Sequence, residues 1–166
     1  AMTYIRKMYH TQEKRKKRLT KPILCERDDA WLGNGYYFWN DIFDAYDWGH
    51  NSKKKSGFFE VYEALINCEN FLNTVFNEEH YNFWVTQIEK ASKVIQKKIG
   101  YKPSIKEINA YFKERAKWNV DGIIFQDLPF NERLQVQNMN YKKRIQAAVF
   151  NIVTVKNFSF IEEIKC

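Results

Sequence analysis

An α+β fold is predicted, with strands toward both ends of the chain and helices inserted between them. Three observations predict it. Residues 58–66 alternate between apolar and polar as a half-buried strand does; apolar residues recur at helical spacing from Tyr81 to Ile95; and strand-like apolar runs return after Asp121-Gly122. The 166 residues suit one domain. A composition that is 45 % hydrophobic and 28 % charged packs a core and excludes wholesale disorder. Residues 2–166 are read as that domain, with Ala1 ahead of Met2 taken as an expression remnant.

Taken in order, residues 3–10 read as a short strand and 11–30 as a polar, basic loop. Trp31-Leu-Gly-Asn-Gly35 is a turn ahead of an extended aromatic stretch, Tyr36-Tyr-Phe-Trp39. Residues 41–48 are expected to be a short helix capped by Asn40 or Asp41. Tyr81, Trp84, Val85, Ile88, Ala91 and Ile95 form one apolar stripe, which predicts a helix over 78–98 ending near Gly100. Ser104 and Glu107 stand three apart as a capping box, opening a helix over 105–117 that buries Ile105, Ile108, Tyr111 and Phe112. Strands are then expected at 123–125, 145–150 and 152–155, with a long polar loop over 126–144.

Charge narrows the partners. Residues 1–21 hold eight basic residues against one acid, so they carry the whole net charge of +7. Its centre is the run Lys14, Arg15, Lys16, Lys17 and Arg18, a patch that attracts phosphate, whether of nucleic acid or of a dinucleotide, and that equally suits a solvated loop. Lys53-Lys54-Lys55 reads as a plain exposed loop. Cys25, Cys68 and Cys166 are odd in number and widely spaced, which makes neither a disulfide framework nor a metal site and points to a reducing, cytoplasmic compartment. No apolar run approaches the ~20 residues of a membrane helix, and no membrane partner is expected.

Among chemistry-bearing residues, no phosphate-binding loop, dinucleotide fingerprint, serine elbow or metal-spaced cluster is present in the sequence. His10 ends the first strand, where it either faces a cleft or serves as a satisfied structural residue; His50 and His80 are read as surface. Gly33 and Gly35 flank Asn34, which lets backbone approach a ligand closely, and Tyr36 and Tyr37 then point to opposite faces of the extended segment. Such an aromatic run is either core or a stacking surface for a flat heterocycle.

Tyr9-His10-Thr11 resembles the Y-H-G-T/S opening of the ADP-ribosyltransferase superfamily, in its diphtheria-toxin-like, poly(ADP-ribose)-polymerase-like branch. Gly33-Asn-Gly35-Tyr-Tyr37-Phe38 is similar to that branch's G-x-G-I-Y-F segment, and Ala45-Tyr-Asp-Trp48 to its helical A-x-x-Y/W/C. The run W-L-G-x-G-x-Y-F-W with a later x-I-Q-x-A-V-x-N resembles a group of bacterial proteins of this superfamily. The resemblance spans most of the chain, and the middle motif is its specific part.

The resemblance implies a split β-sandwich with inserted helices, binding NAD. It implies that His10 hydrogen-bonds the adenosine-ribose hydroxyls, that the Thr11 backbone meets the nicotinamide amide, that Tyr37 stacks on nicotinamide and that Tyr36 turns inward, with Gly35, Ala45 and Trp48 completing the cofactor site. Thr11-Gln12 stands where the family has Gly-Thr/Ser. The catalytic Glu of active relatives corresponds to Gln146, so the implied catalytic set is His10, Tyr37 and Gln146. A carboxamide can hold the ribose hydroxyl but brings no charge to the oxocarbenium-like transition state, a loss on the order of 2–4 kcal/mol or 10²-fold and more. Poly-addition is therefore not expected, and Asp127 or Glu132 from the 126–144 loop are alternative acids. That loop, with Arg133, Lys142 and Lys143, corresponds to an acceptor-recognition loop, and the basic run 14–18 lies beside the cofactor's phosphates or a nucleic-acid acceptor. Three functions follow from the resemblance: mono-ADP-ribosyl transfer to a protein or nucleic acid, as a toxin or defence effector with an antitoxin-like partner; NAD hydrolysis; and silent binding of NAD, ADP-ribose or nucleic acid.

Overall fold

The computed structural model describes residues 4–26, 32–52, 55–114, 119–128 and 132–166. In chain order these form β1 (Ile5–Glu13), β2 (Tyr36–Trp39), α1 (Ile42–Ser52), β3 (Phe58–Asn67), β4 (Phe71–Asn73), α2 (Glu78–Ile99), α3 (Ile105–Glu114), β5 (Gly122–Asp127), β6 (Arg144–Val149) and β7 (Val155–Lys165). The result is a mixed α+β protein. Its seven strands make one sheet in the order β4-β5-β6-β2-β1-β3-β7, and β4–β5 is its parallel pair.

The middle of that sheet is its weakest seam. β1 pairs with β3 along its full length, from Ile5↔Asn67 to Glu13↔Phe59, but meets β2 at the single pair Tyr9↔Trp39. Two half-sheets, β4-β5-β6-β2 and β1-β3-β7, are thus joined at one point. The sheet must also curl. Five strand spacings of about 4.8 Å would separate β3 from β4 by ~24 Å in a flat sheet, yet the four residue steps from Asn67 to Phe71 reach at most ~14 Å. Curling places Met8, Ala64 and Ile66 of one half against Phe38, Phe71, Ile124, Ala147 and Val149 of the other, in one buried apolar cluster.

Helices cover the opposite surface. α1 seats Ala45 against Trp39, Phe59 and Val61. Trp84 of α2 and Ile105 of α3 lie over Leu72, Ile123, Phe125 and Ala148, and the two helices meet through Ala91, Ile95 and Ile108. Local signals set these helices. Asp41 Oδ1 accepts the Phe43 N–H (2.9 Å), Asn77 caps α2 by accepting from His80 N–H (3.1 Å), Gly100 closes α2, and the Ser104 hydroxyl accepts from Glu107 N–H (3.2 Å).

Several expectations are corrected. The strand expected at 3–10 runs on to Glu13, because pairing with β3 overrides its polar composition; Thr3 lies outside the described residues. α1 continues to Ser52 rather than 48. The expected strand 152–155 is a 3-10 turn over Ile152–Thr154, capped by the Asn151 side chain, and the strand that follows is β7. The long loop is 128–143, since Gln126 and Asp127 belong to β5 and Arg144 to β6. His80 is not a surface residue: it is half-buried, and its Nδ1 accepts the Asn73 N–H at 3.0 Å. Trp31, Lys53, Lys54, residues 27–30 of the early loop, 129–131 of the late loop and 115–117 of the expected helix lie outside the described residues.

Candidate functional site

The seam between the half-sheets is where the candidate residues gather. Trp39 pairs with Tyr9 on one side and with Gln146 on the other. Paired residues share a face and alternate along a strand. Tyr37, Trp39 and Gln146 therefore point to the face that α1 covers, and Tyr36 and Phe38 point into the shared core. On the α1 face Trp48 sets its ring 5.8 Å from that of Trp39, and the Thr11 hydroxyl donates to the Ala45 carbonyl at 2.9 Å. Thr11, Tyr37, Ala45, Trp48 and Gln146 thus come to one side of the seam.

Three further groups complete this side. Arg144, two residues before Gln146 on the same strand face, places its guanidinium 5.5 Å from the Trp39 ring centre. It donates through Nε and Nη2 to the two carboxylate oxygens of Asp127 (3.2 and 2.6 Å), its partner in the β5–β6 register. Asp127 is therefore a strand residue held by a bidentate ion pair, not an acid carried on the loop. Asp44, in the first turn of α1, has its carboxyl pushed up from 3.8 to about 6, by burial first and by Asp41 next, while Arg144 pulls the other way. An acid poised there exchanges protons about two pH units higher than an ordinary aspartate. Trp39 itself is 5 % exposed and belongs to the core, so the arrangement offers the half-buried Trp48 indole for a flat or cationic ring, a carboxamide for a hydroxyl, a fixed cation, and a titrating acid.

His10 lies on the other face. It is 3 % exposed, and its ring packs on Phe38 and Phe158. A carbonyl only accepts, so the 2.9 Å contact to Tyr37 O puts the proton on Nδ1. Nε2 then accepts from Gln12 Nε2 (3.1 Å) and Ile23 N–H (3.3 Å). His10 and Tyr37 are tied through backbone, with their rings on opposite faces. Register pairs His10↔Tyr62 and Gln12↔Glu60 extend a buried polar ladder. Tyr62 donates to Glu60 Oε1 (3.1 Å), accepts from Leu19 N–H (3.0 Å), and has its hydroxyl pushed up chiefly by burial. Glu60 is 2 % exposed, with Arg18 Nε 3.8 Å from its other oxygen.

Residues 14–26 close this ladder as a strap. Lys14 pairs with Glu163 (3.1 Å), and the Arg18 guanidinium lies 3.7 Å over Phe160; Arg15, Lys16 and Lys17 are exposed between them. Both ends of the run, Lys14 and Arg18, are thus engaged with the protein's own acids, Glu163 and Glu60. Arg133, Lys142 and Lys143 lie exposed on the 128–143 loop, which leaves and re-enters at the Asp127–Arg144 pair; Glu132 is in an exposed turn there.

The aromatic segment is anchored from behind. Tyr37 donates to Gly33 O (2.6 Å) and accepts from Leu32 N–H (3.0 Å), and its ring meets Phe125 edge-on. Tyr36 packs on the shared core. Gly35 approaches its own chain: a Cβ there would stand 3.2 Å from Val149 O. Sequence reasoning did not single out Asp44, Arg144 or Glu60. Glu60 carried a signal, an acid inside the apolar run Phe58-Phe59…Val61-Tyr62.

Compared with protein-family models, with curated proteins and with solved structures, the chain finds no match. Among the described residues no helix is long and apolar enough to cross a membrane.

Proposed function

We propose that this chain is an NAD-dependent mono-ADP-ribosyltransferase with its reaction centre at the α1 side of the seam. One observation carries the reading: residues from four separate elements, Thr11, Ala45 with Trp48, Trp39 and Gln146, converge where the two half-sheets touch. A site at the junction of two half-sheets fits the split β-sandwich that the resemblance implies, and the tie between His10 and the Tyr37 backbone supports the pairing of its first two motifs.

On this reading the nicotinamide–ribose bond breaks, nicotinamide leaves, and the acceptor attacks the ribose carbon. The half-buried indole of Trp48 suits a cationic pyridinium, with Trp39 packed behind it. Gln146 holds a ribose hydroxyl without supplying charge, and Asp44 takes the proton of the incoming nucleophile. A protein or nucleic-acid acceptor approaches over the 128–143 loop, whose Arg133, Lys142 and Lys143 suit phosphate. The test is nicotinamide release by the purified protein with and without cell lysate. Release that needs lysate and falls in Gln146→Ala is the expected result; undiminished release in that variant overturns it.

A second reading rests on the neutral Gln146 and on Asp127 being tied to Arg144: the seam binds NAD or ADP-ribose without turnover. A saturable rise in melting temperature with NAD, and no release in any lysate, selects this reading.

A further inference from the structure

α2 has two faces of different chemistry. Trp84, Ile88, Ala91 and Ile95 turn inward, onto the sheet and α3. Lys90, Lys93 and Lys97 recur at i, i+3 and i+7 on the other side of the helix, and all three are exposed. Lys98 and Lys102 continue the row, also exposed. Tyr101 stands between them, 59 % exposed, just past the left-handed turn at Gly100 (φ +81°).

The protein's own acids do not answer this row. From Lys90 to Lys106 the sequence has six lysines and no Asp or Glu. Glu89 precedes the row, and Glu107 beyond it accepts from the Ser104 N–H and hydroxyl (3.3 and 3.2 Å). None of Lys90, Lys93, Lys97, Lys98 and Lys102 makes an ion pair with a described residue. The helix dipole favours Lys97 and Lys98 in the last turn, but its effect fades within that turn and does not reach Lys90 or Lys93. The strap differs, since its Lys14 and Arg18 face Glu163 and Glu60.

We infer that this face of α2 binds the phosphate backbone of a single-stranded nucleic acid, with Tyr101 stacking on one of its bases. Seven residues of helix set Lys90 and Lys97 about 10 Å apart along the axis, with Lys93 between them, a linear run of charge that suits a linear polyanion. Lysines are point charges without the planar fork that reads a base edge, so they contact phosphate whatever the sequence. An unpaired base offers its face to an exposed ring, and a base stacked inside a duplex does not. A lipid surface fits less well: an interfacial helix needs its apolar stripe free to enter the bilayer, and the stripe of α2 is already buried. The surface does not depend on the transferase reading.

The test is fluorescence anisotropy of labelled oligouridylate titrated with the full chain. Saturable binding is expected, weakening with salt at a log–log slope of about −2 to −3, the value for three or four phosphates. The triple variant Lys90→Gln, Lys93→Gln, Lys97→Gln keeps good helix formers at exposed positions. It is expected to weaken binding about tenfold or more and to flatten the slope by about 2. Tyr101→Ala is expected to weaken binding about fivefold or more at an unchanged slope, because stacking releases no counterion. Arg15→Gln, Lys16→Gln, Lys17→Gln removes the same charge from the strap and is expected to leave binding within about twofold, which separates a local surface from net charge. Oligodeoxythymidylate bound as well as oligouridylate identifies a strand of either sugar, and weaker binding identifies RNA. No binding at low salt, equal weakening by the two triple variants, or a duplex bound as tightly as the single strand overturns the assignment. Binding to phosphatidylserine vesicles without binding to oligonucleotide overturns it in favour of a membrane surface. Gln146→Ala is expected to bind the strand as the parent does, so this surface and the transferase reading fail separately.

Discussion

The two sides of the β1–β2 seam differ in how their polar groups are satisfied. On the strap side, His10, Tyr62 and Glu60 are buried, and with the half-buried Gln12 they are bonded to one another or to the strap backbone. On the α1 side, Asp44 and Gln146 are half-buried, and the Asp44 carboxyl is pushed up to about 6. A fully paired buried network rigidifies the fold. A half-wet group with a displaced pKa is available for chemistry. On the proposed reading, stability belongs to the His10 side and reactivity to the Gln146 side.

The sharpest way to break this assignment is to restore charge on the reactive side. Gln146→Glu is expected to raise nicotinamide release by about 10²-fold, the converse of the loss a neutral side chain imposes. An unchanged rate would remove Gln146 from the reaction centre. Next is Glu60→Leu, which strands the Tyr62 hydroxyl and frees Arg18 from its partner. It is expected to cost about 2–3 kcal/mol in urea unfolding, with little effect on any NAD-dependent rate in the folded fraction. Arg144→Ala leaves Asp127 unpaired in its half-buried place, at about 1–2 kcal/mol, and moves the Asp44 titration, followed by carboxyl NMR, upward from about 6 because its stabilising cation is gone.

The smallest effect is the pH dependence that Asp44 itself imposes. Its folded-state pKa lies above its ordinary 3.8, so between pH 4 and 6 the folded chain holds the proton more tightly than the unfolded chain. Stability from this group is highest below pH 4, falls as pH rises toward 6, and is level above. Asp44→Asn removes that fall. Its melting temperature is expected to exceed the parent's at pH 7.5 and to equal it at pH 4, with the gain reduced by solvent screening of a half-exposed group.

What the sequence made legible follows the range of each signal. The ends of α2 and the start of α3 were readable because Asn77, Gly100, Ser104 and Glu107 act within one turn of backbone. β7 was not, because its register against β3 shifts twice, between Val61 and Tyr62 and between Glu63 and Leu65, so its side chains keep no clean period. β4 has three residues and takes its identity from β5 beside it. Thr11, Tyr37, Ala45, Trp48 and Gln146 stood in local motifs, and the seam brings them to one face. Arg144 gained meaning only from its cross-strand register with Asp127, and Asp44 only from the burial that docking of α1 gives it, neither of which a local pattern encodes.

The strand order also dictates how this chain must reach its fold. β5 and β6 are antiparallel neighbours joined by one loop, but Tyr37 must find Ala148 and Phe58 must find Lys165 across most of the chain. Loop-closure entropy is lost before such distant pairings reward it, which places refolding on the order of milliseconds to seconds rather than microseconds. Until both neighbours arrive, Tyr36-Tyr37-Phe38-Trp39 is an unpaired, uncharged aromatic strand with two open edges. Crowded or rapid synthesis will therefore favour aggregation through β2, and slow synthesis at low temperature will favour soluble protein.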